Sequence, residues 1–216
     1  EDIAVLYRTN AQSRAFEGEL RKNNIPYRIY GGTSFYQRKE IKDTLAYFRL
    51  AVNPKDNEAL LRALSFPSRG IGDTTMKKVT LCAIENNQSY MEVMRRPEDY
   101  PLEMSGPMRK KISAFAAMID ELSAQSEEMD AFSFAEMLLR QTGVSTALMM
   151  DRTPEGIDRA QNVQELLNAI REFVTQRTNE GIDYTPITDF LSEVSLMTDQ
   201  DDNQADTTDR VTLMTV

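Results

Sequence analysis

The sequence predicts a mainly α protein: an all-helical domain inserted into a small α/β fragment whose parallel sheet is formed by the two termini. Three observations carry this expectation. Short apolar runs of β type occur only near the ends, at residues 3–7, 27–30 and 211–216. The first two flank a stretch of helical period, which makes a β-α-β unit of the kind that builds parallel sheets. Between the second and third, apolar residues recur at three- and four-residue spacing and no strand alternation survives.

In chain order, Ile3, Ala4, Val5, Leu6 and Tyr7 form a continuous apolar run, as expected of a strand buried on both faces of a parallel sheet. Asn10 is a candidate N-cap for the amphipathic helix marked by Ala15, Phe16 and Leu20, which ends at Ile25-Pro26. The strand Tyr27-Arg28-Ile29-Tyr30 is closed by Gly31-Gly32. Helices are then expected at 39–52, 56–65, 73–86, 88–95, 106–130, 132–141, 144–151, 156–178 and 186–197. The clearest is 156–178, where Ile157, Ala160, Val163, Leu166, Leu167, Ile170 and Val174 trace one face. Pro101, Gly106, Pro154 and Pro186 read as turns. Asp199, Asp201, Asp202, Asp206 and Asp209 lie in a polar stretch without apolar period, read as a flexible loop. It lacks the glycine and distal Glu of a calcium loop. The run 211–216 is the third strand, so the sheet unit is discontinuous around the helices.

Composition narrows the chemistry. The chain has 216 residues, 41% hydrophobic and 27% charged, which is ordinary globular composition. With no histidine and one cysteine it has no Ser/His or Cys/His nucleophile pair, no disulfide and no His/Cys zinc cluster. Cys82 reads as a small buried hydrophobe, and the 12 methionines read as core filling. The expected location is the cytosol, and the longest apolar runs are far short of the roughly 20 residues of a membrane span. A start at Glu1 without Met and a stop inside an apolar run read as an excised piece of a longer protein.

The net charge of −9 argues at first against nucleic acid. The distribution reverses that argument: residues 1–80 hold 14 Lys and Arg against 9 Asp and Glu, whereas residues 81–216 hold 11 against 25. A basic face of the first part suits DNA, and the acidic remainder suits a protein partner.

Three constellations could carry binding. In residues 7–14 (YRTNAQSR) a strand hands over to a helix, so Arg8 and Asn10 would face a phosphate or base at the carboxyl end of the strand. The plainer alternative is a helix cap and a solvated strand end. Residues 30–43 (YGGTSFYQRKEIKD) combine a glycine pair, aromatics with stacking faces, and the cations Arg38, Lys39 and Lys42; the same residues also suit a turn leading into a helix. Residues 66–78 (FPSRGIGDTTMKK) place Gly70-Ile71-Gly72 between two helices. Such a hairpin presents backbone N–H groups to a phosphate, Ile71 anchors it, and Arg69, Thr74, Lys77 and Lys78 add donors or charge. An ordinary interhelical turn capped by Asp73 is the alternative.

Together these residues resemble the UvrD/PcrA/Rep family of superfamily-1 DNA helicases. Residues 3–14 (IAVLYRTNAQSR) resemble its motif IVa, residues 25–43 (IPYRIYGGTSFYQRKEIKD) its motif IVb, and residues 69–75 (RGIGDTT) its duplex-binding GIG element. Residues 210–216 (RVTLMTV) resemble the first half of motif V. One departure is Gln37, which stands where the family usually carries an acidic residue, or a polar one other than glutamine, before the arginine. The resemblance implies a RecA-like 2A subdomain contributing residues 1–43 and 207–216 as flanks, with residues 44–206 as the helical 2B insert. It implies that Arg8 and Asn10 contact single-stranded DNA and that the hairpin holds the duplex. It further implies a parent that couples ATP and Mg²⁺ to 3′-to-5′ unwinding, with repair or replication proteins docking on the helical surface. The Gly-x-x-x-x-Gly-Lys loop and the strand-end Asp-Glu pair that ATP hydrolysis needs do not occur in this sequence, so no catalytic residue and no metal ligand are assigned.

Overall fold

The computed structural model describes residues 3–202 and 209–215, with Asn10 and residues 199–202 described in backbone only. Three strands, β1 (Ala4–Tyr7), β2 (Tyr27–Tyr30) and β3 (Val211–Thr215), form one parallel sheet in the order β1-β3-β2. The terminal strand is therefore the central one. Leu213 lies opposite Val5 on one side and Ile29 on the other, and it is fully buried. The β-α-β unit thus has a gap that only β3 fills.

The first helix, α1 (Ser13–Lys22), follows a 3-10 turn at Asn10–Gln12. It starts later than an Asn10 cap would place it, because Gln12 Oε1 accepts the N–H groups of Arg8 (3.0 Å) and Thr9 (3.2 Å) and holds the turn itself. Ile3 and Leu6 are exposed, contrary to the expectation of burial on both strand faces. The small sheet core among the described residues consists of Tyr7, Tyr27 and Leu213 with Val5, Leu20, Ile29 and Val211 packed on it.

The helical body follows the periodicity closely. It comprises α2 (Lys39–Val52), α3 (Asn57–Ser65), α4 (Asp73–Glu85), α5 (Tyr90–Arg95), α6 (Gly106–Ser126), α7 (Ala131–Gln141), α8 (Val144–Met150), α9 (Pro154–Asn179) and α10 (Ile187–Asp202). Side-chain caps fix several starts: Asp56 accepts from Ala59 N–H, Ser89 from Glu92, Asp130 from Phe132 and Ser133, and Thr153 from Gly156. Pro154 begins α9 rather than breaking it, since a proline in the first turn loses no hydrogen bond. The helix expected over 106–130 stops at Ser126. At the other end α10 runs to Asp202, into the stretch read as an acidic loop, with residues 203–208 outside the described residues. Acidic residues in a last turn oppose the helix dipole, and no sequence pattern announces that extension.

Helix α2 organises the body. From Asp43 to Ala51 every residue but Arg49 is buried, and Ile41, Leu45, Ala46, Tyr47, Phe48, Leu50 and Ala51 supply the apolar face packed against α3, α6, α7, α9 and α10. The continuous helical core begins upstream of α2, with Phe35 and Tyr36. Met91 and Met94 fill it as expected, and Cys82 is buried and free. Met149 and Met150 instead face solvent, a correction to the reading of all the methionines as core.

The sheet unit meets the helical body through a polar seam. The Glu17 carboxylate, 1% exposed, accepts the Phe35 N–H (3.2 and 3.1 Å) and the Ser13 hydroxyl (2.7 Å), and pairs with Arg21. Arg38 donates to Ser13 Oγ (2.7 Å) and to Asn162 Oδ1 on α9 (2.8 Å), and Asn162 donates to Glu40 (2.6 Å). Beside it Arg14 bridges α1 to Glu165 (2.6 Å) and Glu172 (2.9 Å) of α9. Burial pushes the Glu17 carboxyl above the usual range despite the hydrogen bonds and arginines that oppose the shift.

Candidate nucleic-acid interface

The strand-end site begins where β1 gives way to the 3-10 turn. Arg8 is exposed there, beside Leu6, Ala11, Gln12, Ala15 and Phe16, which line a shallow cleft closed on one side by Glu165. The side chain of Asn10 lies outside the described atoms, although its backbone sits in the turn next to Arg8.

The segment from Tyr30 onward divides into an outer and an inner part. Tyr30 is exposed, and Gly31 has φ +75°, a left-handed conformation that turns the chain out of β2. Phe35 and Tyr36, in contrast, are buried and packed edge-to-face with centroids 5.1 Å apart. They offer no stacking face, because the N-terminal end of the helical core claims both; burial pushes the Tyr36 phenol up to about 12. Arg38 is likewise turned inward, 8% exposed, onto Ser13, Asn162 and the Phe35 ring. Its post is structural. Lys39 is exposed but paired with Asp43 (2.7 Å), which Arg62 also meets (2.9 Å). Lys42 makes no hydrogen bond or ion pair with its side chain among the described residues and lines a cleft with Gln37, Arg49, Arg62, Ser195 and Thr198.

The hairpin between α3 and α4 has the geometry its sequence implies. Ile71 is 8% exposed and joins the helical core, while Gly70 and Gly72 on either side are exposed. Gly70 has φ +66° and Gly72, the residue before α4, has φ −91°. Only the first glycine is therefore required by backbone conformation. The N–H groups of Gly72, Asp73 and Thr74 are the open first-turn donors of α4, since Thr75 and Met76 are the first to bond back, to the Gly72 carbonyl. Thr74 and, one turn on, Lys77 are exposed on the same helix.

Arg69 does not reach out beside these donors. Its guanidinium donates to the Tyr47 hydroxyl (2.8 Å) and the Thr142 carbonyl (2.9 Å) and lies over the rings of Phe115 (5.1 Å) and Tyr47 (5.7 Å). Tyr47 in turn donates to the Ala63 carbonyl at the end of α3 (2.7 Å). One side chain thereby ties the hairpin to α2, α3, α6 and α7. Lys78 and Arg109 are also spent inside the fold, on the Glu103 carbonyl and on the Pro97 and Leu102 carbonyls respectively.

The fold brings Gly70, Ile71, Gly72, Thr74 and Lys77 together at one corner of the helical body. Sequence reasoning missed Glu17, Asn162 and Tyr47, whose polar atoms are buried partners of the arginines. It also missed Lys111 of α6, whose ammonium lies against Gly70. Nothing in the spacing of a chain pairs residue 111 with residue 70.

A family model described as the UvrD-like helicase C-terminal domain matches residues 1–216. The chain belongs to the UvrD-like helicase family. Among relatives, the ATP-dependent DNA helicase PcrA of Leuconostoc citreum is 39% identical over 218 residues. The proteins of the same name from Staphylococcus aureus strain Mu50 and Staphylococcus epidermidis are each 33% identical, over 216 and 215 residues. Each alignment covers 100% of this chain but 28–29% of the relative, so the chain spans less than a third of the length of these helicases. In this UvrD-like domain no described helix is long and apolar enough to cross a membrane. The turn after β1 carries no glycine, and no described group of three or more acidic, His or Cys residues is placed to hold a metal.

Proposed function

We propose that this chain is the DNA-contacting and regulatory part of an ATP-dependent 3′-to-5′ DNA helicase of the bacterial cytosol, without ATPase activity of its own. Residues 44–206 are the helical 2B insert, and residues 1–43 and 207–216 are flanks of the 2A subdomain. Duplex DNA is held by the Gly70-Ile71-Gly72 hairpin with Thr74 and Lys77. Single-stranded DNA runs past Arg8, Asn10, Lys39 and Lys42. Arg38 and Arg69 serve as positioning residues behind these surfaces. The acidic helical surface takes protein partners of the parent.

The observation that carries this reading is the hairpin: an apolar anchor between two exposed glycines, leading into a helix whose first N–H groups are open. That combination grips a phosphate oxygen without reading base sequence. The relatives' being DNA helicases by name supports the same assignment. The test is a titration of the chain with forked, blunt-duplex and single-stranded DNA at several salt concentrations. Weak binding without sequence preference and with steep salt dependence is expected, because the net charge of −9 opposes approach. Failure to bind any DNA at low salt, with a protein partner still bound, would replace this reading by that of a helical interaction domain.

A further inference from the structure

We propose that Lys111 is a second phosphate ligand at the hairpin, its ammonium joining the backbone N–H groups on one strand of the duplex. The proposal rests on the reading of the hairpin as a duplex site. Lys111 sits in the second turn of α6, is exposed, and makes no hydrogen bond or ion pair among the described residues. Its Nζ lies 3.0 Å from the point a Cβ on residue 70 would occupy. A lysine ammonium held that close to an exposed turn, with no carboxylate on it, is a cation without an intramolecular use.

The surroundings sharpen this. Arg69, Lys78 and Arg109 all come within reach in sequence or fold, and each is consumed by a carbonyl or a ring. Lys77 of α4 and Lys111 of α6 are both exposed and make no such side-chain contact among the described residues, and Asp73 is the exposed carboxylate of the first turn of α4. A phosphate seated on the α4 N–H groups would be met by Lys111 from across the turn. The residue at position 70 then has two reasons to be glycine: its φ of +66°, and the room it leaves for the ammonium.

The experiment measures affinity of the full chain for a short blunt duplex and for single-stranded oligothymidine across a fourfold range of salt. Lys111→Gln, Lys111→Arg and, as a matched loss of charge away from the hairpin, Lys55→Gln are compared. With one phosphate fewer neutralised, the duplex salt slope should fall by about 0.9, so the deficit of Lys111→Gln should shrink by about 3.5-fold from the lowest salt to the highest. Lys111→Arg should bind as the parent does, Lys55→Gln should leave the slope unchanged, and none of the three should alter single-strand affinity. A Lys111→Gln slope equal to that of the parent, with Gly70→Ala still weakening duplex binding, overturns the role of Lys111 and leaves the hairpin reading standing. A parent chain without duplex affinity, or one indifferent to Gly70→Ala, sinks both.

Discussion

Removing the Arg69 guanidinium tests whether this residue faces DNA or holds the hairpin from behind. In Arg69→Ala the chain loses two hydrogen bonds from a charged donor, to Tyr47 Oη and the Thr142 carbonyl, and two ring interactions. Charge-assisted bonds contribute about 1.5–3 kcal/mol each and cation–π interactions about 0.5–1. The cost of keeping a half-buried cation is recovered, and Tyr47 keeps its own bond to Ala63. The Thr142 carbonyl, at a 2% exposed residue, loses this donor. A net loss of about 3 kcal/mol follows, and Arg69→Lys, which reaches one acceptor instead of two, should lose about half of it. Urea unfolding followed by circular dichroism reads the shift in midpoint at constant slope. Duplex binding, measured where the variant is folded, should keep the salt slope of the parent. A variant as stable as the parent whose slope falls by about 1 would put the guanidinium on a phosphate and refute the argument.

Other expectations are briefer. Ile71→Ala should cost about 2–3 kcal/mol and weaken duplex binding with net charge unchanged, as calorimetry and titration would show. Gly72→Ala, at φ −91° with open space around it, should change stability by less than about 0.5 kcal/mol, whereas Gly70→Ala should cost about 1–2 in urea unfolding. Glu17→Gln should destabilise by about 2 kcal/mol at neutral pH, since an amide NH₂ must face N–H donors. Because burial raises the Glu17 pKa, its charged form opposes folding above that pKa, and the opposition is relieved as pH falls towards the ordinary carboxylate value; the stability gap between parent and variant should widen on acidification. Arg14→Gln should cost about 1 kcal/mol in low salt and less in high salt.

The fold was legible where a single period ruled a segment. Residues 39–52 and 156–178 announce helices by pattern, while the starts that Ser89, Asp130 and Thr153 cap fall one or two residues from where the period puts them. The hairpin was legible because its chemistry is local: glycine, anchor, glycine, helix. The arginines were not. Arg38 and Arg69 look in sequence like surface cations among glycines, and their partners Asn162, Tyr47 and Thr142 are brought up only by tertiary packing. The aromatic pair Phe35-Tyr36 misled for the same reason, since a ring that stacks on a base and a ring that fills a core are the same residue in a sequence.

The strand order has a consequence in time. β1 and β2 both hydrogen-bond to β3 and not to each other, and about 180 residues separate Tyr30 from Val211. At a synthesis rate of roughly 5–20 residues per second, the N-terminal strands wait roughly 9–36 s for the strand that joins them. During that wait the helices can consolidate around α2, while the edges of β1 and β2 that β3 will join stay without it. Joining β1 to β2 through β3 is therefore a late, long-range event, and until then the edges reserved for β3 are ones that a chaperone or a wrong neighbour can reach first.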